Sequence, residues 1–167
     1  MGKKLILGTV LVLAIVLIAL GVQEKSIWTE VEINASADKV WNILTDLESY
    51  QDWNPHIPLA RGRIATGNKL YIRVKERDGS EMSFEPKVIK VVPKKEFRWL
   101  GRLYVPRLLD GEHIFEIEEV SPRRVRLSHR ETFRGVLVLP FWNKLKTETR
   151  GGFEAMNAAL KRRAEAS

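Results

Sequence analysis

Apolar and polar positions begin to alternate at Ser26: Ile27, Thr29, Val31 and Ile33 fall on one side of an extended segment, Trp28, Glu30 and Glu32 on the other. This predicts a first strand. Asn34-Ala35-Ser36 interrupts it, and Ala37, Val40, Trp41 and Leu44 then recur at helical spacing, with Ser36 placed as N-cap and Asp38 in the first turn. Asp46 starts a second short helix reaching Tyr50. Trp53-Asn54-Pro55 ends it, because proline lacks an amide donor and disfavours helical torsions in Asn54. Beyond Pro58 the pattern predicts six strands, at residues 59–66, 70–76, 82–92, 96–101, 112–120 and 123–133. Gly67-Asn68, Asp78-Gly79, Pro93-Lys94-Lys95 and Ser121-Pro122 supply the turns between them. After Pro140, the set Leu145, Thr149, Gly152, Phe153, Met156 and Leu160 returns to helical spacing, opposite a face of Lys144, Lys146, Arg150, Lys161 and Arg162. Strand, two short helices, six strands and one long terminal helix make an α+β plan in which a curved antiparallel sheet wraps the last helix.

Residues 5–22 precede this pattern as an unbroken run of apolar, Gly and Thr residues behind Lys3 and Lys4. As a helix the run would extend about 27 Å at 1.5 Å per residue, close to the thickness of a bilayer core. It divides the chain into a transmembrane anchor at 1–25 and a single domain at 26–167. A cleaved signal peptide is the rival, since Ala19-Leu20-Gly21 offers small residues, but the run exceeds the roughly 7–15 apolar residues of such a leader. Lys3 and Lys4 hold the amino terminus on the cytoplasmic side, so the expectation is a single-pass membrane protein with its domain extracytoplasmic, or a secreted form after cleavage.

Composition narrows the chemistry. The chain has 167 residues, no cysteine, a net charge of +7 and a pI near 9.8. Without cysteine there is no disulfide framework, thiolate metal site or thiol nucleophile. Basic charge favours anionic surfaces. Acidic residues are interspersed with it, and no exposed aromatic stacking set accompanies it, so no nucleic-acid partner is expected. Phosphate loops, dinucleotide fingerprints, nucleophile elbows and His-Glu-x-x-His helices are missing from the sequence, and no cofactor is expected.

The segments Ala35-Ser36-Ala37-Asp38-Lys39-Val40-Trp41, Leu44-Thr45-Asp46, Tyr50 and Trp53-Asn54-Pro55 resemble those of the helix-grip superfamily of START domains, birch-pollen-type allergens and polyketide cyclase/dehydrase-like proteins (SRPBCC). Trp99-Leu100-Gly101, Gly111-Glu112-His113 and the stretch from Gly152 to Asn157 extend the likeness over nearly all of 26–164. The resemblance implies a cavity between sheet and long helix for a hydrophobic small molecule or lipid. It is specific for the fold and a poor guide to activity. Trp53, Trp99 and Asn54 read as packing and turn residues.

Two sequence features support such a cavity. Gly151-Gly152 in the helix leaves space for a ligand or for close helix–sheet packing. The loops 103–109, with Leu103, Tyr104, Val105, Leu108 and Leu109, and 136–142 are apolar and rimmed by Arg102, Arg107, Arg134 and Lys144, as a ligand gate, a lipid-dipping surface or inward-folded core would be.

The sharpest cluster lies on the last hairpin. Alternation puts His113, Phe115 and Ile117 on one face with Val125, Leu127, His129, Glu131 and Phe133. Pairing Ile117 with Val125 would set His113 opposite His129, with Glu131 one step along. Such a group can orient a ligand's head group, act in acid–base catalysis, or form a two-His, one-carboxylate metal site; the first reading is preferred and no metal is expected. The expected ligand contacts are Tyr104, His113, Phe115, Leu127, His129, Glu131, Phe133, Gly152, Phe153 and Met156. The catalytic candidates are His113, His129 and Glu131, for a cyclase, dehydrase or hydrolase acting on an apolar substrate. His56 reads as a loop residue near the cavity mouth.

Overall fold

The computed structural model describes Ile6, Gly8, Thr9 and residues 23–166. The apolar run 5–22, read above as an anchor, otherwise lies outside them. Among the described residues no helix is long and apolar enough to cross a membrane.

β1 (Glu24–Ile33) leads into α1 (Ala37–Thr45), whose first turn is closed by the amide of Lys39 donating to Ser36 Oγ at 3.3 Å. A 3-10 turn at Leu47–Ser49 and the short α2 (Tyr50–Trp53) follow. Asn54 then folds back on the chain, its Oδ1 accepting from the amides of His56 and Ile57 at 3.1 and 3.0 Å, so it is the turn residue the sequence suggested.

Seven strands come next rather than six: β2 (Leu59–Arg61), β3 (Tyr71–Lys75), β4 (Glu81–Phe84), β5 (Lys87–Val92), β6 (Glu96–Arg102), β7 (Asp110–Ser121) and β8 (Arg124–Arg134). The extra break is at Glu85-Pro86, where proline cannot donate to a ladder. It parts the sheet into a five-stranded antiparallel order β1-β8-β7-β6-β5 and a three-stranded order β2-β3-β4, joined by an isolated bridge from Lys69 to Lys87.

α3 (Val138–Glu165) closes the fold, with Pro140 in its first turn where an amide donor is not needed. Its carboxyl-terminal half drives Met156, Leu160 and Ala164 into the main core beside Leu127, Phe115, Val40 and Leu44. At that end Glu165 accepts from the amide of Asn34, so the helix finishes beside the start of α1. Its amino-terminal half stands over the opposite end of the sheet, where a smaller cluster of Ile27, Phe133 and Val138 forms. The α+β plan of a long helix gripped by antiparallel strands is present as expected.

Candidate functional site

The β7–β8 register decides what the histidines meet. Ile117 pairs with Leu127, Phe115 with His129, and His113 with Glu131. This is a two-residue slip from the predicted register: the chain reverses at Pro122-Arg123, with Ser121 paired to Arg124, rather than at Ser121, and a one-residue irregularity between Glu119 and Ser121 makes the net shift even. Because the slip is even, every side chain keeps its face. The inward set survives, but His113 faces Glu131 directly and reaches His129 on the diagonal, with 2.5 Å between their Nε2 atoms.

A hydrogen-bond chain orients both rings. Asn157 Nδ2 donates to Thr29 Oγ1 at 3.0 Å, which leaves Asn157 Oδ1 to accept from His129 Nδ1 at 3.0 Å. His129 thus carries its proton on Nδ1, its Nε2 accepts from His113 Nε2–H, and the lone pair of His113 is left on Nδ1. Burial holds both imidazoles well below the ordinary value, so they are neutral at physiological pH. Phe153 stacks on His129 with ring centroids 3.5 Å apart, and Phe115 stacks on both rings.

Above this layer, between the amino-terminal half of α3 and the concave sheet, lies a cavity of about 340 Å³. Ile72, Val74, Phe84, Trp99, Leu109, Phe133, Leu137 and Leu145 give it an apolar wall; His56, His113 and Glu131 add polar groups, and Arg102, Lys144, Glu76, Glu148 and Thr149 add more. Lys144 pairs with Glu76 at 2.9 Å and Glu148 accepts from the amide of Arg77 at 2.9 Å, tying the β3–β4 hairpin to α3.

Glu131 is the chemically distinctive member. Among the described residues no cation pairs with it, and it lines the cavity. Burial pushes its carboxyl up to about 8, so at neutral pH it is mostly a protonated acid able to donate. Gly111 on β7 makes room for it: a Cβ there would overlap Glu131 Oε1.

Of the residues expected to touch a ligand, His113, Glu131 and Phe133 line the cavity. Phe115, Leu127, His129, Phe153 and Met156 are buried beneath its floor, and Tyr104 is 89% exposed at a loop tip. Gly152 lies outside the lining as well, since the space its missing side chain leaves is taken by the His56 ring. His56 is therefore a buried floor residue rather than a mouth residue, placed by Asn54 and by its carbonyl accepting from the amide of Lys75 at 2.8 Å. Sequence reasoning missed its role, and that of Trp99, Gly101 and Gly111. The paired glycines, partners across β6 and β7, were the available signal. Among the described residues no three His, Asp or Glu side chains are grouped to hold a metal ion.

A long helix gripped by antiparallel strands over an internal apolar cavity defines a helix-grip protein of the START/SRPBCC type. The chain belongs to the family described as polyketide cyclase / dehydrase and lipid transport, whose model matches residues 25–165. No curated protein matches it. Among solved structures it is similar to a START superfamily protein from Mycobacterium smegmatis, at 25% identity over 84% of this chain and 97% of that one, with a TM-score of 0.64. The Zhui aromatase/cyclase from Streptomyces sp. R1128 matches at 15% identity over 86% and 98%, with a TM-score of 0.65. A di-domain aromatase/cyclase, BexL from the BE-7585A biosynthetic pathway, matches at 17% identity and a TM-score of 0.64 over 86% of this chain; the match spans 51% of BexL.

Proposed function

We propose that this protein binds an uncharged hydrophobic small molecule or lipid in the cavity, with the ligand's oxygen-bearing group on the floor against Glu131 and His113. The carrying observation is a neutral carboxyl facing a mostly apolar enclosure, in a niche that Gly111 keeps open. An apolar body supplies binding free energy of about 25 cal/mol per Å² removed from water, and the few polar groups fix its orientation. Residues 5–22 would hold the domain at a membrane, which suits a ligand that partitions into lipid and raises the domain's local concentration there.

Gly101 gives the test. It lines the cavity, and a Cβ there meets only the Gly111 carbonyl, at 3.8 Å. Gly101→Trp therefore fills the cavity from a strand that tolerates an aromatic. Titration of the full chain in detergent with a fluorescent naphthyl ketone should saturate for the wild type and fail for Gly101→Trp. Equal uptake by both would remove the cavity as the binding site.

A second reading is favoured by His113 standing directly opposite Glu131. With a ketone substrate, His113 Nδ1 would take the α-proton as the C–H bond breaks, and Glu131 would protonate the carbonyl oxygen to give the enol. This is enolisation, the first step of cyclase or dehydrase chemistry. It requires deuterium exchange at the α-carbon of a bound ketone, lost in both His113→Ala and Glu131→Gln. Binding without exchange leaves the first reading alone.

A further inference from the structure

The two apolar loops are one structure. Val136 and Leu137 donate their amides to the carbonyls of Arg107 and Leu108, each at 3.0 Å. Gly135, at φ +134°, allows the approach; a Cβ there would meet Arg107 O at 2.6 Å and Leu108 O at 2.7 Å. The β6–β7 loop and the start of α3 thus form a single platform around the cavity mouth. On it Tyr104, Val105, Leu139 and Phe141 are 89%, 56%, 42% and 50% exposed. Tyr104 and Arg107 hold left-handed backbone, at φ 59° and 66°, which presents the tip outward rather than folding it into the core.

The sheet register fixes where the amino terminus meets this platform. Arg102 pairs with Asp110, Asp110 with Arg134, and Arg134 with Glu24. The start of β1, the β6–β7 loop and the β8–α3 connection therefore share one end of the domain. The turn at Pro122-Arg123 lies at the other, eleven residues along β7 from Asp110 and about 35 Å away at 3.3 Å per residue.

We propose that this end docks on the surface of a phospholipid bilayer, so that the cavity opens toward the lipid. The proposal rests on the ligand-binding reading and adds its orientation and partner. The length of the chain carries it: the apolar run ends at Val22 and β1 begins at Glu24, so one residue separates them. A residue spans at most about 3.6 Å, too little to let the platform swing away from a bilayer that holds residues 5–22. The side chains around the tips agree. Lys25 Nζ sits 5.5 Å over the ring of Trp142, and Arg102, Arg134 and Lys144 are held in ion pairs with Asp110, with Glu24 and Glu112, and with Glu76. Apolar tips among aromatic and paired charged side chains suit the polar headgroup layer of a phospholipid bilayer.

Because the chain has no cysteine, single reporters can be placed without background. Val105→Cys, Leu139→Cys and Arg123→Cys, each labelled with an environment-sensitive fluorophore, would be reconstituted as full chains in phosphatidylcholine/phosphatidylglycerol vesicles containing brominated lipid. The labels at 105 and 139 should shift to the blue and lose most of their emission to the bromines, while the label at 123 does neither. Water-like, unquenched emission at 105 and 139, or equal quenching at 123, would overturn the proposal. Val105→Asp with Leu139→Asp separates it from the reading it rests on. Transfer of the naphthyl ketone from vesicles should slow several-fold while its binding from detergent stays unchanged. Loss of the detergent binding in the wild type would instead sink the cavity reading itself, and unslowed transfer would sink the docking alone.

Discussion

Gly111 and Glu131 occupy adjacent strands, β7 and β8, so that the place a Cβ would take on the glycine is held by Oε1 of the carboxyl. The missing side chain keeps an acid inside an apolar cavity. A methyl at 111 would push the flexible end of Glu131 aside rather than break the sheet. Gly111→Ala should therefore fold with nearly unchanged Tm and weaken naphthyl ketone binding about tenfold, on the order of 1.4 kcal/mol for one misplaced hydrogen bond. Unaltered affinity in that variant would mean that Glu131 does not touch the ligand.

The raised value of Glu131 has a sign that can be measured. Between its ordinary value of 4.5 and about 8, the folded state holds a proton that the unfolded state releases, so this group's contribution to stability is full below 4.5 and declines as pH rises to 8. Glu131→Gln has no such proton. Relative to wild type it should gain Tm steadily from pH 4.5 to 8, and a Tm difference flat across that range would contradict the burial of the acid. Wild-type ketone binding should also fall above pH 8, where the donor is lost, and the fall should be missing in Glu131→Gln.

His113 and His129 act in the opposite direction. Burial depresses both, so unfolding takes up protons below the ordinary imidazole value of 6.5, and stability is lost as pH falls from there toward the folded-state values. Asn157→Leu removes the acceptor at His129 Nδ1 and the donor to Thr29, leaving buried polar atoms unpaired, and should cost about 1–3 kcal/mol by urea unfolding at pH 7. A neutral effect would show that the chain of hydrogen bonds from Thr29 to His113 does not hold the rings.

Gly152 and His56 form a second glycine niche, this time against a rigid ring. Gly152→Ala gains helix propensity of about 1 kcal/mol but sets a methyl against a buried imidazole, an overpacking that costs roughly 1–3 kcal/mol. It should destabilise alone and stabilise in a His56→Ala background, a coupling that a double-mutant cycle reads directly. Additive effects would deny the contact.

The alternation in β1, β7 and β8 and the helical spacing in α3 were enough to place the fold and the inward face bearing His113, His129 and Glu131, because a period-two pattern survives any even slip in register. The slip itself arises because the chain reverses at Pro122-Arg123 and carries a one-residue irregularity between Glu119 and Ser121, for which alternation carries no signal. The division of the interior was equally hidden. Phe115 and Leu127 share the inward face with Glu131, yet they sit with Met156 of α3 where the main core is filled, while Glu131 sits where the amino-terminal half of α3 stands off the sheet. Depth along a strand, rather than face, separates wall from core. Pro86 divides the strand expected at 82–92 because its missing amide outweighs the apolar run around it. The side-chain space left by Gly151-Gly152 is used by Arg77 and His56.

The most direct measurement is the content of the cavity. The full-length wild type and Gly101→Trp, purified in parallel in detergent, would be denatured, extracted with organic solvent and analysed by mass spectrometry. The account predicts an apolar compound with a hydrogen-bonding oxygen, near one per chain in the wild-type extract and missing from Gly101→Trp. Identical extracts, together with no uptake of the naphthyl ketone by the wild type, would contradict it.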